Sequence, residues 1–145
     1  MFNNGKPFPA PVQAVDRLTE TLREELLEYG HLLELLRAQQ KMIFAEDLLG
    51  LSKNIGAVDE QMRNIVRSRQ QQDYWRAETL CWLEIDTNLS WAQMVLKLPA
   101  KHQLLLQALV DEINTSLENI HVLLLQNQQL NLRARVRPGS DGYRG

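Results

Sequence analysis

The 145-residue chain carries 16 basic and 18 acidic side chains, so its formal net charge is −2. Because phosphate binding requires a net basic face, this balance argues against nucleic acid as the main partner. The hydrophobic content of 44% and the charged content of 23% are ordinary for a folded domain, and they argue against global disorder.

Residues 1–11 are rich in proline and asparagine, and we predict that they form a flexible segment. They lack the apolar core of a signal peptide, and no apolar run in the chain approaches the ~20 residues that cross a bilayer. The single cysteine, Cys81, cannot form an internal disulfide, which suits a reducing compartment. These features predict a cytoplasmic protein without membrane insertion.

A first long helix is predicted from residue 12 to about Phe44, because its apolar side chains recur at alternating steps of three and four. This ladder consists of Val15, Leu18, Leu22, Leu26, Tyr29, Leu33, Leu36 and Ile43, with Gln40 as its one polar member. Glu46 and Asp47 come next, and Asp47 is a suitable N-cap for a following helix. We predict a tight reversal here that makes an antiparallel hairpin. A continuous helix with a local defect is the alternative, since neither glycine nor proline marks a turn.

A second helix is predicted from Leu48 to about Glu84. Its ladder consists of Leu48, Leu51, Ile55, Val58, Met62 and Ile65. Gly50 and Gly56 lie inside this pattern, and each costs up to ~1 kcal/mol relative to alanine in a helix interior. Gly50→Ala is therefore expected to be neutral or stabilising. Cys81, which has apolar neighbours, is expected to be a small buried side chain.

A short helix is predicted from Ser90 to about Lys97, ending before Pro99. It contains more apolar residues than so short a segment buries within a bundle. Trp91 and Met94 therefore form a candidate partner surface. Covering one end of the bundle is the alternative role of these two side chains.

The last long helix is predicted from about Ala100 to Val136, with residues 137–145 as a flexible tail. Its ladder consists of Leu106, Val110, Ile113, Leu117, Ile120 and Leu124. Apolar side chains also occur on its other faces, as expected of a helix that is central in a bundle or covered by another protein. Together the segments predict an all-α fold over residues 12–136: an elongated antiparallel helical bundle with coiled-coil packing, three long helices and one short helix.

No motif in the chain predicts catalysis or a bound cofactor. Two Glu-x-x-His pairs, Glu28 with His31 and Glu118 with His121, have the spacing found in di-metal helical bundles. Such pairs are usually surface contacts on amphipathic helices, and the last ladder offers no inward glutamate that would complete a metal cluster. We therefore expect neither an enzyme nor a metal protein.

From Leu26 to Arg69 the chain has a long leucine-rich helix, a short break that ends in Asp47-Leu48, and a second helix that contains Lys53. Leu89-Ser90 then opens a short helix through Leu98-Pro99, and Asn127 and Leu130 form an Asn-x-x-Leu near the end of the last helix. In these features, over about Val15 to Leu132, the chain resembles the flagellar export chaperone FlgN family.

The resemblance implies a small cytoplasmic chaperone of the flagellar type III export system. Such a chaperone binds hook–filament junction (hook-associated) proteins, keeps them unassembled and delivers them to the export apparatus. In the family, the C-terminal helix and the segment after it bind the client, and an amphipathic client helix suits an apolar helix face. The alternative is a structural coiled-coil protein, for instance a homodimeric scaffold with no export client.

The client surface is predicted on the last helix. If Leu117, Ile120 and Leu124 occupy the bundle seam, the apolar side chains between them project to the sides, where only a further helix covers them. The predicted client-binding residues are Val122, Leu123, Leu125, Gln126, Asn127, Gln129 and Leu130, with Trp91 and Met94 as a secondary patch.

Overall fold

The computed structural model describes the backbone of residues 11–84 and 88–136 and the side chains of residues 13–84 and 88–133. Within that part of the chain the regular structure is helical: α1 (Pro11–Ala45), α2 (Leu48–Trp82), α3 (Trp91–Lys97) and α4 (Ala100–Val136). The predicted all-α class is confirmed. Pro11, which we assigned to the leading segment, is the first residue of α1. The flanking segments predicted over 1–10 and 137–145 lie outside the described residues. None of the described helices combines the length and apolar character needed to cross a membrane.

The predicted break between α1 and α2 is present, so the continuous-helix alternative is wrong. Glu46 has a φ of 55°, and its N–H donates to the Ile43 carbonyl at 3.2 Å. The N–H of Asp47 reaches back to the Met42 carbonyl at 3.0 Å. These two hydrogen bonds and the left-handed residue form a Schellman-type helix end, here with glutamate where glycine is usual. Asp47 then accepts a hydrogen bond from the Gly50 N–H at 2.9 Å, and so caps α2 as predicted.

This cap changes the expectation for the two glycines of α2. A Cβ at Gly50 would collide with the capping carboxylate of Asp47, whereas a Cβ at Gly56 meets nothing within 4 Å. Gly56→Ala is therefore expected to raise the free energy of unfolding by about 0.5–1 kcal/mol. Gly50→Ala is expected to give no such gain, because it disturbs a cap worth about 1 kcal/mol. Urea unfolding of both variants checks this, and an equal gain at Gly50 would contradict it.

The chain divides into two compact units. Unit 1 comprises Met1–Leu26 and Val66–Ile113, and unit 2 comprises Leu27–Ile65 and Asn114–Gly145. The described apolar core of unit 1 is formed by Ala14, Val15, Leu18, Leu22, Leu80, Met94, Val95, Leu98, Leu106, Leu109, Val110 and Ile113. Two buried polar side chains of this unit have partners: Thr19 Oγ1 donates to the Val15 carbonyl at 2.9 Å, and Gln72 Nε2 donates to Glu25 Oε1 at 3.0 Å. Burial of these side chains therefore leaves their hydrogen bonds satisfied.

The described apolar core of unit 2 is formed by Tyr29, Leu32, Leu33, Leu36, Ile43, Ile65 and Ile120. Asn54 and Gln61 of α2 are buried beside it. Asn54 donates Nδ2 to the Leu35 carbonyl at 2.9 Å, and Gln61 donates Nε2 to the Glu28 carbonyl at 2.9 Å. The face of α2 that packs inward in unit 2 therefore alternates apolar and amide side chains.

Two of the predicted ladders match the inward face of their helix only in part. On α2, Leu48, Ile55 and Met62 are 78%, 49% and 45% exposed, and Asn54 and Gln61 occupy the inward positions instead. Their amides reach carbonyl oxygens of α1, which compensates for burying polar groups.

On α4 the ladder is confirmed at Leu106, Val110, Ile113 and Ile120, which are buried, and it is wrong at its two other members. Leu117 and Leu124 are exposed, whereas Ile120 and Asn127 are buried and Leu123 is half-buried. The expectation for Cys81 is also wrong, because its side chain is exposed.

Candidate functional site

Asn127 anchors the C-terminal half of α4 to α1. It is 2% exposed, and its Nδ2 donates to the Leu36 carbonyl at 3.0 Å and to Gln39 Oε1 at 2.9 Å. Gln39 in turn donates Nε2 to Asn54 Oδ1 of α2 at 3.0 Å. One chain of amide hydrogen bonds, which we call the amide layer (Gln39, Asn54 and Asn127), therefore joins the three helices of unit 2.

Beside the amide layer, α1 and α4 form an open cleft of about 290 Å³. The cleft is lined by Gln40, Phe44, Gln126, Gln129, Leu130 and Arg133. Gln40 donates Nε2 to Gln126 Oε1 at 3.2 Å across it. The cleft is open and small for a drug-sized ligand, so its shape suits side chains projecting from a partner segment.

Each wall of the cleft is one face of a helix. On α4, Gln126, Gln129, Leu130 and Arg133 occupy positions i, i+3, i+4 and i+7, which lie on one face of a helix. On α1, Gln40 and Phe44 are one turn apart on one face. Phe44 is 68% exposed and Leu130 is half-buried, so apolar surface is available on both walls.

The predicted client-binding residues separate into three groups. Gln126, Gln129 and Leu130 line the cleft. Val122 and Leu125 are exposed on α4, and neither lines the cleft.

Leu123 and Asn127 form the third group, and the geometric premise for them is wrong. We expected Leu123 to project to the side of the seam and Asn127 to contact the client beside it, but Leu123 is half-buried and Asn127 is held in the amide layer. The physical reason is the rotation of α4, which turns Leu117 and Leu124 outward and these two residues inward.

The secondary patch is corrected as well. Met94 is fully buried in the core of unit 1, so it is not available as surface. Trp91 is half-buried beneath the guanidinium of Arg76, which lies 4.9 Å from the ring centroid and donates a hydrogen bond to the Leu89 carbonyl. A capping box between Ser90 and Gln93 fixes the start of α3. Trp91 and Met94 thus belong to the packing of unit 1.

The two Glu-x-x-His pairs have no geometry of a metal site in the described residues. Glu28 Oε1 accepts a hydrogen bond from Gln61 Nε2 at 2.7 Å, and His31, Glu118 and His121 are exposed. No group of three or more histidine, cysteine, aspartate or glutamate side chains is placed to hold a metal ion in the part of the chain that the structure describes.

Sequence reasoning missed the α1 wall of the cleft, Gln40 and Phe44, and also missed Arg133. Gln40 was the polar interruption in an otherwise apolar ladder, and that interruption was the available signal. Phe44 is the last aromatic residue before the helix break, where an exposed aromatic side chain is not needed for packing. Comparison of the chain with family models, curated proteins and solved structures finds no match.

Proposed function

We propose that this protein is a helix-binding chaperone that holds an amphipathic helix of a client protein in the α1–α4 cleft. The observation that carries the proposal is the cleft itself, in which three residues nominated from the sequence, Gln126, Gln129 and Leu130, meet the exposed ring of Phe44. Apolar anchors flanked by amides suit a helix laid into a groove, with side chains about one turn apart as anchors. The proposed activity is binding, without a chemical step.

The resemblance in sequence supplies the client class. We propose that the clients are hook–filament junction proteins of the flagellum, kept unassembled in the cytoplasm and passed to the export apparatus. In unit 2, Glu28 of α1 is hydrogen-bonded to Gln61 of α2, and Gln39, further along α1, is hydrogen-bonded to Asn54, which comes earlier in α2. This order supports the antiparallel, coiled-coil-like pairing of α1 and α2 that we propose for the bundle.

A homodimeric scaffold is the second candidate, and one observation favours it. Leu48, Ile55 and Met62 are exposed on α2 at intervals of seven residues. A repeat of seven is the spacing of a coiled-coil seam, which pairs with a like helix. On this proposal the α2 stripe, and not the cleft, carries the association.

The test is titration of the full chain with a purified hook–filament junction protein, followed by calorimetry. Phe44→Asp and Leu130→Asp are expected to weaken binding at least ~10-fold, because each places a charge against an apolar anchor. Leu27→Asp on α1, at a side chain 64% exposed outside the cleft, is the matched control and should bind as the natural chain does. If the chain does not bind the client, and if it is a stable dimer that Met62→Asp converts to a monomer, these results would support the scaffold instead.

A further inference from the structure

One cation lines the α1–α4 cleft, and two more lie on the adjoining face of α1. Arg133 lines it, and Arg37 and Lys41 lie on the face of α1 that carries Gln40 and Phe44, because positions 37, 40, 41 and 44 follow i, i+3, i+4 and i+7. All three cationic side chains are exposed. Both helices that form the cleft therefore carry positive charge, α4 in the lining itself and α1 on the same face as Gln40 and Phe44.

This positive charge is not neutralised from within the cleft. The other residues that line the cleft are Gln40, Phe44, Gln126, Gln129 and Leu130, none of which is a carboxylate.

Among the described residues, none forms an ion pair with Arg37, Lys41 or Arg133. Glu34, one turn before Arg37 on α1, is exposed and likewise forms no ion pair with a described residue. A chain whose formal net charge is −2 thus presents a locally basic cleft.

We infer that the occupant of the cleft is an acidic amphipathic helix of the client. Its apolar stripe rests on Phe44 and Leu130, and aspartate or glutamate side chains on its flanks face Arg37, Lys41 and Arg133. This inference rests on the proposed function and narrows the client to helices with acidic flanks. Complementary charge of this kind fixes which partner binds and speeds association, and it weakens as salt screens it.

Two synthetic helical peptides test the inference on the full chain. Both carry leucines at i, i+3, i+4 and i+7; one has glutamates on the flanks of this stripe and the other has lysines. The glutamate peptide is expected to bind at low salt and to weaken as salt is added, and the lysine peptide is expected to bind at least ~10-fold more weakly.

Charge reversal at the cleft should exchange this preference. The triple variant Arg37→Glu, Lys41→Glu, Arg133→Glu is expected to raise the Kd for the glutamate peptide about tenfold, since three exposed charge pairs are lost, and to gain affinity for the lysine peptide. Arg63→Glu, at an exposed arginine of α2, is the matched control and should change neither Kd. Thermal melting of both variants verifies that they fold.

The possible failures are distinguishable. If both peptides bind with equal affinity and Leu130→Asp abolishes that binding, the acidic preference is wrong and the helix-binding function is still supported. An effect of Arg63→Glu as large as that of the triple variant would overturn the placement of the acidic flank at the cleft. Failure of both peptides to bind would overturn the inference and the proposed function together.

Discussion

Asn127→Asp is expected to lower the free energy of unfolding by about 3–5 kcal/mol at neutral pH. The substitution removes the Nδ2 donor that satisfies the Leu36 carbonyl and Gln39 Oε1, and it puts a carboxylate in a site that is 2% exposed. The Oδ1 atom of Asn127 already lacks a described hydrogen-bond partner, so the new charge would have no donor ready to receive it. A buried charge without a partner is among the largest single-residue costs in proteins.

The dependence of this loss on pH provides a second readout. Burial raises the pKa of the introduced carboxyl above its value of about 3.9 in the unfolded chain. The deficit relative to the natural chain is therefore smallest below the unfolded pKa and grows as pH rises through the folded pKa. Asn119→Asp, the same change at an exposed site on α4, is the control and should be within about 0.5 kcal/mol of the natural chain. Urea unfolding over a range of pH measures both, and a deficit independent of pH would contradict the burial of a charge.

Ile120→Ala is expected to lower the free energy of unfolding by about 2–4 kcal/mol, because it empties a site in the core of unit 2. Leu124→Ala, four residues further along α4, removes a side chain that is 38% exposed and is expected to cost less than about 1 kcal/mol. The sequence ladder placed both residues in one seam, whereas in the structure only Ile120 is buried. The two variants therefore distinguish the predicted inward face of α4 from the observed one. Equal losses in denaturant unfolding would favour the rotation predicted from the ladder.

Helix formation and the helix break were predictable from local chemistry. The ladders contain helix-forming side chains at helical spacing, and Asp47 supplies a capping carboxylate to the Gly50 N–H. Such signals depend on residues within one or two turns of each other, so they can be read without knowing the fold.

The rotation of α2 was not predictable in the same way. The apolar ladder and the observed inward face share Leu51, Val58 and Ile65, but Asn54 and Gln61 point inward where the ladder has Ile55 and Met62. Hydrophobicity alone predicts that Ile55, and not Asn54, points inward. Asn54 is inward because it donates to the Leu35 carbonyl and accepts from Gln39, both of them on α1. These partners exist only once α1 is in place, so a single-helix pattern cannot reveal them.

The cleft was predictable on one wall. Gln126, Gln129 and Leu130 were identified because α4 has more apolar surface than a seam requires. Gln40 and Phe44 belong to a helix whose ladder was interpreted as core, and the pairing of two faces from distant segments depends on the relative placement of α1 and α4. The charge of the cleft was hidden for the same reason, because Arg37 and Arg133 are far apart in sequence.

The amide layer determines the axial alignment of α1, α2 and α4. Leucine-rich faces can slide past one another by one heptad and bury nearly the same area, which would leave several arrangements close in energy. A slide of seven residues on α1 would bring Leu32 or Glu46 to the place of Gln39, opposite Asn54 and Asn127. Leu32 has no polar group to exchange hydrogen bonds, and Glu46 is beyond the end of α1. A slide of one heptad would therefore leave buried amide groups without hydrogen bonds. We expect this cost in free energy to select one axial register for α1, α2 and α4.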